Sequence, residues 1–192
     1  MSHLIYLITG EPCDNENKFL ELLKISLEQG IKLVQIRAKL LDYNQYQNLA
    51  SKAIKLCREY QATVLLNTHL NLIDEIGADG VHLPSKNLME LNERPIPKHR
   101  ILSVACHNEE EVIHASKIGA DFAVICPVLA TPSSPEKKPL GWEKFSDLVK
   151  LAHMPIYALG SVTPKDIEKA KSYGAIGIAA IRSIWGKQIL NI

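Results

Sequence analysis

Neither sign of charge is in excess: 22 Lys+Arg stand against 21 Asp+Glu, a formal net charge of +1 over 192 residues. Without a basic surface the chain has little with which to neutralise a phosphate backbone, so nucleic-acid binding is not expected. Long apolar runs are missing too. The hydrophobic stretches are a handful of residues each, far from the ~20 that cross a bilayer, so no membrane partner is expected. The opening segment from Met1 to Leu20 has no basic n-region, and its apolar part is short and soon interrupted, which speaks against a signal peptide. Cysteine is scarce: four residues, at 13, 57, 106 and 126, form no C-x-x-C pair. That excludes zinc-ribbon and thioredoxin-like sites, and it is too sparse for a disulfide scaffold. All four are expected as reduced thiols, mostly packed in the core. No G-x-G-x-x-G follows an apolar run, and no H-x-x-x-H pair suggests zinc. What is present is a globular composition, 46% hydrophobic and 22% charged. The expectation is one cytoplasmic domain over residues 1–192.

A unit recurs along the chain. Ile76-Gly77-Ala78-Asp79-Gly80-Val81, Ile118-Gly119-Ala120-Asp121-Phe122-Ala123 and Tyr173-Gly174-Ala175-Ile176-Gly177-Ile178 each end an amphipathic stretch at a glycine. A short apolar run follows at once, and Gln29-Gly30-Ile31-Lys32-Leu33-Val34 is a looser copy. A glycine in the left-handed conformation ends a helix, so these are helix-to-strand joints. Strands are expected at 3–9, 32–38, 63–67, 80–83, 101–106, 122–127, 156–160 and 177–181, all short and apolar as buried parallel strands are. Helical patterns fall between them at 17–29, 44–60, 71–76, 88–93, 109–118, 142–151 and 164–173. Asn108 before three glutamates and Thr163 before Pro164 read as helix caps. Eight strands alternating with seven helices predict a compact (β/α)8 TIM barrel with a reduced last helix, with an open doubly wound sheet as the alternative.

Barrels of this class carry their chemistry at the C-terminal ends of the strands. Strand two ends in Gln35-Ile36-Arg37-Ala38-Lys39, whose alternation places an amide and two cations on one side. Strand three ends at Asn67-Thr68-His69. Strand five ends at Cys106-His107, which makes His107 the candidate general acid or base, because histidine ordinarily titrates near neutrality. His82 lies deeper in its strand and reads as a core histidine. The stretch after strand six, from Val128 to Gly141, is long for so economical a chain, and long loops are often functional. Gly160-Ser161 after strand seven and Ile181-Arg182 after strand eight occupy the usual phosphate position of the fold.

In this order the motifs resemble the thiamine phosphate synthase superfamily, which includes TenI-like thiazole tautomerases. The resemblance rests on Gln35-Ile36-Arg37-Ala38-Lys39, Asn67, Gly77–Leu83, the 127–141 loop and Ala158–Pro164, and it covers essentially the whole chain. It implies phosphorylated thiamine precursors as ligands. Gln35, Arg37, Lys39 and Asn67 would face the pyrimidine and pyrophosphate. Thr131, Ser133, Gly160, Ser161, Ile181 and Arg182 would face the thiazole phosphate, with His107 catalytic. The synthase branch would also imply Mg²⁺. Here, however, Thr68 stands where that branch has aspartate, and Leu83-Pro84-Ser85-Lys86-Asn87 lacks the second acid. Ala105 and Ser134 replace a serine and a lysine, and Lys137 or Lys138 is left to substitute for the latter. Losing both acids favours a metal-independent, tautomerase-like activity with no certain cofactor. The alternatives are a competent synthase and a non-catalytic precursor-binding module; a homodimer is compatible with the reduced last helix.

Overall fold

The computed structural model describes residues 3–12, 15–131 and 138–188. Eight strands, β1 (Ile5–Ile8), β2 (Leu33–Ile36), β3 (Thr63–Asn67), β4 (Gly80–Leu83), β5 (Ile101–Cys106), β6 (Phe122–Ile125), β7 (Ile156–Ala158) and β8 (Gly177–Ala180), form a closed barrel in sequence order. Every neighbouring pair is parallel, and β1 closes on β8 through Ile5 opposite Ile178 and Leu7 opposite Ala180. The barrel expectation therefore holds and the open-sheet alternative falls.

Helices α1 (Glu16–Glu28), α2 (Tyr43–Glu59), α3 (Leu72–Ile76), α4 (Ser85–Met89), α5 (Glu109–Lys117), α6 (Gly141–Leu151) and α7 (Ile167–Ser172) connect the strands. The four joint glycines, Gly30, Gly77, Gly119 and Gly174, all have positive φ, as their position requires. Asn15 caps α1, Asp42 forms a capping box with Gln45 on α2, and Asn108 accepts from the Glu111 N–H on α5. Two expectations shift. The fourth helix starts directly after Pro84 and ends at Met89, rather than running over 88–93. The seventh begins as a 3₁₀ turn, Pro164–Asp166, held by a Thr163–Asp166 capping box, before α7 proper. No helix follows β8 among the described residues, and none of the helices is long and apolar enough to cross a membrane.

Alternation along the strands produces two apolar layers. Outward residues such as Ile5, Leu7, Val34, Ile36, Val64, Val81, Val104 and Ile178 pack against the helices in one large cluster. Inward residues Tyr6, Ile8, Leu33, Leu65, Phe122, Val124, Tyr157 and Ala179 fill the barrel. The rings of Tyr6, Phe122 and Tyr157 meet there, with centroids 5.2 to 5.8 Å apart. Burial of this kind, at about 25 cal/mol per Å² of apolar surface, is the main force holding the barrel closed. Cys57 and Cys106 are buried free thiols and Cys126 is partly exposed; Cys13 lies outside the described residues.

Candidate active site

The inner face of the barrel is not wholly apolar. Gln35, Asn67, His82 and Ser103 are buried within it. Buried polar groups need partners, and these find them in one another. Gln35 Nε2 donates to the Tyr6 hydroxyl at 2.8 Å, and Asn67 Nδ2 approaches Gln35 Oε1 at 3.5 Å. His82 Nδ1 lies 2.9 Å from Ser103 Oγ. Burial raises the Tyr6 hydroxyl well above its usual range, against the opposing hydrogen bonds from Gln35 and Ser103. Burial, aided by the positive charge of Lys39, pulls His82 down to about 3, so its imidazole is neutral. His82 is thus the core histidine that its depth in the strand suggested.

Above this polar floor lies a cavity of about 710 Å³ at the C-terminal end of the strands. Its wall includes His107, Thr131, Gly160, Ser161, Ile181, Arg182 and Arg37. The structure therefore brings seven of the expected site residues to one space. Lys39 is exposed beyond the end of β2, and Gln35 and Asn67 sit in the buried floor, so these three are not among the wall residues. Ser133 and Lys137 lie outside the described residues; Lys138 is exposed.

Several details set the chemistry of the wall. His107 Nδ1 lies 2.6 Å from the carbonyl oxygen of Cys126. A carbonyl can only accept, so Nδ1 carries the proton and Nε2 is the nitrogen left to take up or release one. The His107 backbone N–H donates to Glu111 Oε2 at 2.6 Å, and Glu111 is itself held at the start of α5 by Asn108. The ring is therefore anchored through Nδ1 and its backbone through the N–H, which leaves Nε2 facing away from both contacts. Gly160 has φ +112, and a Cβ there would lie 2.7 Å from Pro127 Cα. Only glycine lets the β7 loop lie against the segment after β6. Arg182 Nη2 donates to Thr131 Oγ1 at 3.2 Å, joining the loops after β8 and β6.

The wall residues that were not expected include Glu11, Cys126 and Lys187. Glu11 Oε1 accepts from Arg37 Nη1 at 2.7 Å. A signal existed for it, since Gly10-Glu11 directly follows the C-terminal end of β1. Cys126 continues the inward alternation of β6, and its sulfur lies 3.5 Å from His107 Nδ1.

Magnesium takes oxygen ligands, chiefly carboxylates together with substrate phosphate. At the ends of β3 and β4 the chain offers Asn67, Thr68, Ser85 and Lys86. No group of three or more His, Cys, Asp or Glu side chains suited to a metal occurs among the described residues. This donor set does not fit the ion.

Fold and cavity together define a parallel (β/α)8 barrel with a cationic, histidine-bearing site at the strand ends. The sequence profile of the thiamine monophosphate synthase family matches residues 5–184, and the chain belongs to that family. It is 33% identical over 177 residues to "Putative thiamine-phosphate synthase 2" of Aquifex aeolicus, covering 92% of this chain and 95% of the relative. It is 32% identical over 181 residues to a thiamine-phosphate synthase of Thermosynechococcus vestitus; this spans 94% of the chain but 50% of that longer protein. Among solved structures, thiamine phosphate pyrophosphorylase from Pyrococcus furiosus superposes with a TM-score of 0.77 at 23% identity, over 96% of this chain and 88% of the other. At that identity the superposition speaks for the fold.

Proposed function

We propose that this enzyme binds phosphorylated thiamine precursors at the C-terminal face of the barrel. We assign it the condensing reaction, in which hydroxymethylpyrimidine diphosphate and thiazole phosphate are joined with loss of pyrophosphate. The names of the relatives favour this reading over the isomerisation that the missing acids suggest. The observation that carries it is one cavity walled by two arginines from different loops, Arg37 after β2 and Arg182 after β8. A condensing enzyme must hold two phosphorylated molecules in one space, and each needs cationic contact.

In this reading the bond from the pyrimidine methylene carbon to the diphosphate oxygen breaks, and the thiazole nitrogen supplies the electron pair for the new C–N bond. Arg37 and Lys39 take up charge on the leaving diphosphate. Gln35, held by Tyr6, and Asn67, held by Gln35, form the buried polar floor beneath the space for the pyrimidine. Arg182, Thr131 and the backbone around Gly160 and Ser161 hold the thiazole phosphate. Since the residues after β3 and β4 do not fit Mg²⁺, the leaving charge rests on these cations.

A second reading is favoured by His107 alone. Its fixed tautomer leaves Nε2 for proton transfer at a thiazole carbon, the chemistry of a tautomerase, with the phosphate as anchor. One set of assays separates the readings. The purified chain is incubated with both precursors, and thiamine phosphate and pyrophosphate are quantified. Equimolar products that scale with enzyme are expected. Should no product form while thiazole carboxylate phosphate isomerises, and His107→Ala lower that isomerisation by about 10²-fold or more, the second reading stands instead. Thiazole phosphate binding with neither reaction would leave a binding module.

A further inference from the structure

Among the described residues, the wall of the cavity holds one carboxylate where the ligands are anions. Glu11 Oε1 sits 2.7 Å from Arg37 Nη1, and both side chains are 27% exposed. The pairing is built into the backbone rather than left to two surface side chains. Thr9, fully buried, donates through its hydroxyl to the Arg37 carbonyl at 3.0 Å, and the same hydroxyl accepts from the Arg37 N–H at 2.9 Å. The Thr9 N–H in turn donates to the Gln35 carbonyl at 3.0 Å. These bonds lock the chain leaving β1 against the chain leaving β2, two residues before Glu11. Arg182, by contrast, meets the neutral hydroxyl of Thr131.

We propose that Glu11 is a specificity-determining residue: a resident anion that competes with the diphosphate group of a ligand for Arg37. The inference rests on the reading above, that Arg37 serves the diphosphate end of a substrate. A guanidinium offers five donors in a plane, and a carboxylate and a phosphate use the same fork. A diphosphate arriving at Arg37 must therefore displace Glu11 or approach beside it against its charge. The pair weakens anion binding on the β1–β2 side and speeds departure of pyrophosphate, while the Arg182 side keeps its full cationic character.

Binding of inorganic pyrophosphate, measured by calorimetry without turnover, tests this in the wild type, Glu11→Gln and Glu11→Ala, with far-UV circular dichroism to check folding. Loss of the carboxylate is expected to tighten pyrophosphate binding about tenfold, a modest figure because the pair is partly solvent-screened. In the Arg37→Gln background the same Glu11 substitution should give no gain. Equal or weaker binding by both folded Glu11 variants overturns the proposal. So does a gain that persists without Arg37, which would reflect overall charge alone. Thiamine phosphate formation by the wild type is assayed in parallel. Absence of product with the binding order intact counts against the condensing reaction and not against the role of Glu11.

Discussion

Protonating His82 would place a cation inside the barrel, with its Nδ1 at Ser103 and its ring 6.1 Å from that of Tyr6. Burial holds its pKa near 3 when folded, while the unfolded chain titrates near 6.5. Between those values the unfolded state binds the proton and the folded state does not, so stability rises with pH across that window. The contribution is complete above about pH 6.5 and is lost progressively as pH falls toward 3. His69 and His3 are lowered in the same direction, chiefly by burial, and add to the slope. Urea unfolding between pH 3 and 7 should show a loss on the order of a few kcal/mol toward the acid end. His82→Gln should flatten part of that loss, and a slope unchanged in that variant would refute the assignment.

At the scale of elements, the site depends on how α5 begins. Asn108 caps the helix by accepting from the Glu111 N–H at 2.9 Å, and Glu111 accepts from the His107 N–H at 2.6 Å. One cap thus serves both the helix and the histidine. Asn108→Ala should cost about 1 kcal/mol in denaturant unfolding, while Asn108→Asp should retain most of the stability. If His107 moves protons in turnover, the alanine variant should also lower kcat more than it raises KM, because Glu111 loses its restraint. The N-terminal acids of α5, Glu109 to Glu111, add favourable charge at the helix dipole and leave the cap as the specific contact.

For the whole molecule, the barrel was legible because its strands are buried on both faces and read as apolar runs bounded by glycine. Their middles were placed correctly, and β3, β4 and β5 have the expected limits. The others end one or two residues early, as β2 does at Ile36, because their last residues belong to the site loops. The fourth helix was misplaced because a stretch of 85–93 has too few turns for periodicity to fix its start; Pro84 does that instead. In the site, His107, Arg37 and the β7 and β8 loops follow from the rule of strand ends. Glu11 also stands beyond a strand end, but its meaning comes from Arg37, 26 residues away and one strand over. The buried pairing of Gln35 with Tyr6, and of Asn67 with Gln35, likewise crosses strands and is a contact that alternation in a single strand cannot reveal.

Trp185 lies against Gly10 so closely that a Cβ on that glycine would fall 2.7 Å from the indole, and its ring also meets Phe19 on α1, at 4.9 Å between ring centroids. The segment that carries Arg182 is therefore braced on the segment that carries Glu11. The two sides of the cavity form one mechanical unit across the β8–β1 seam, and a disturbance of either loop is transmitted to the other by contact.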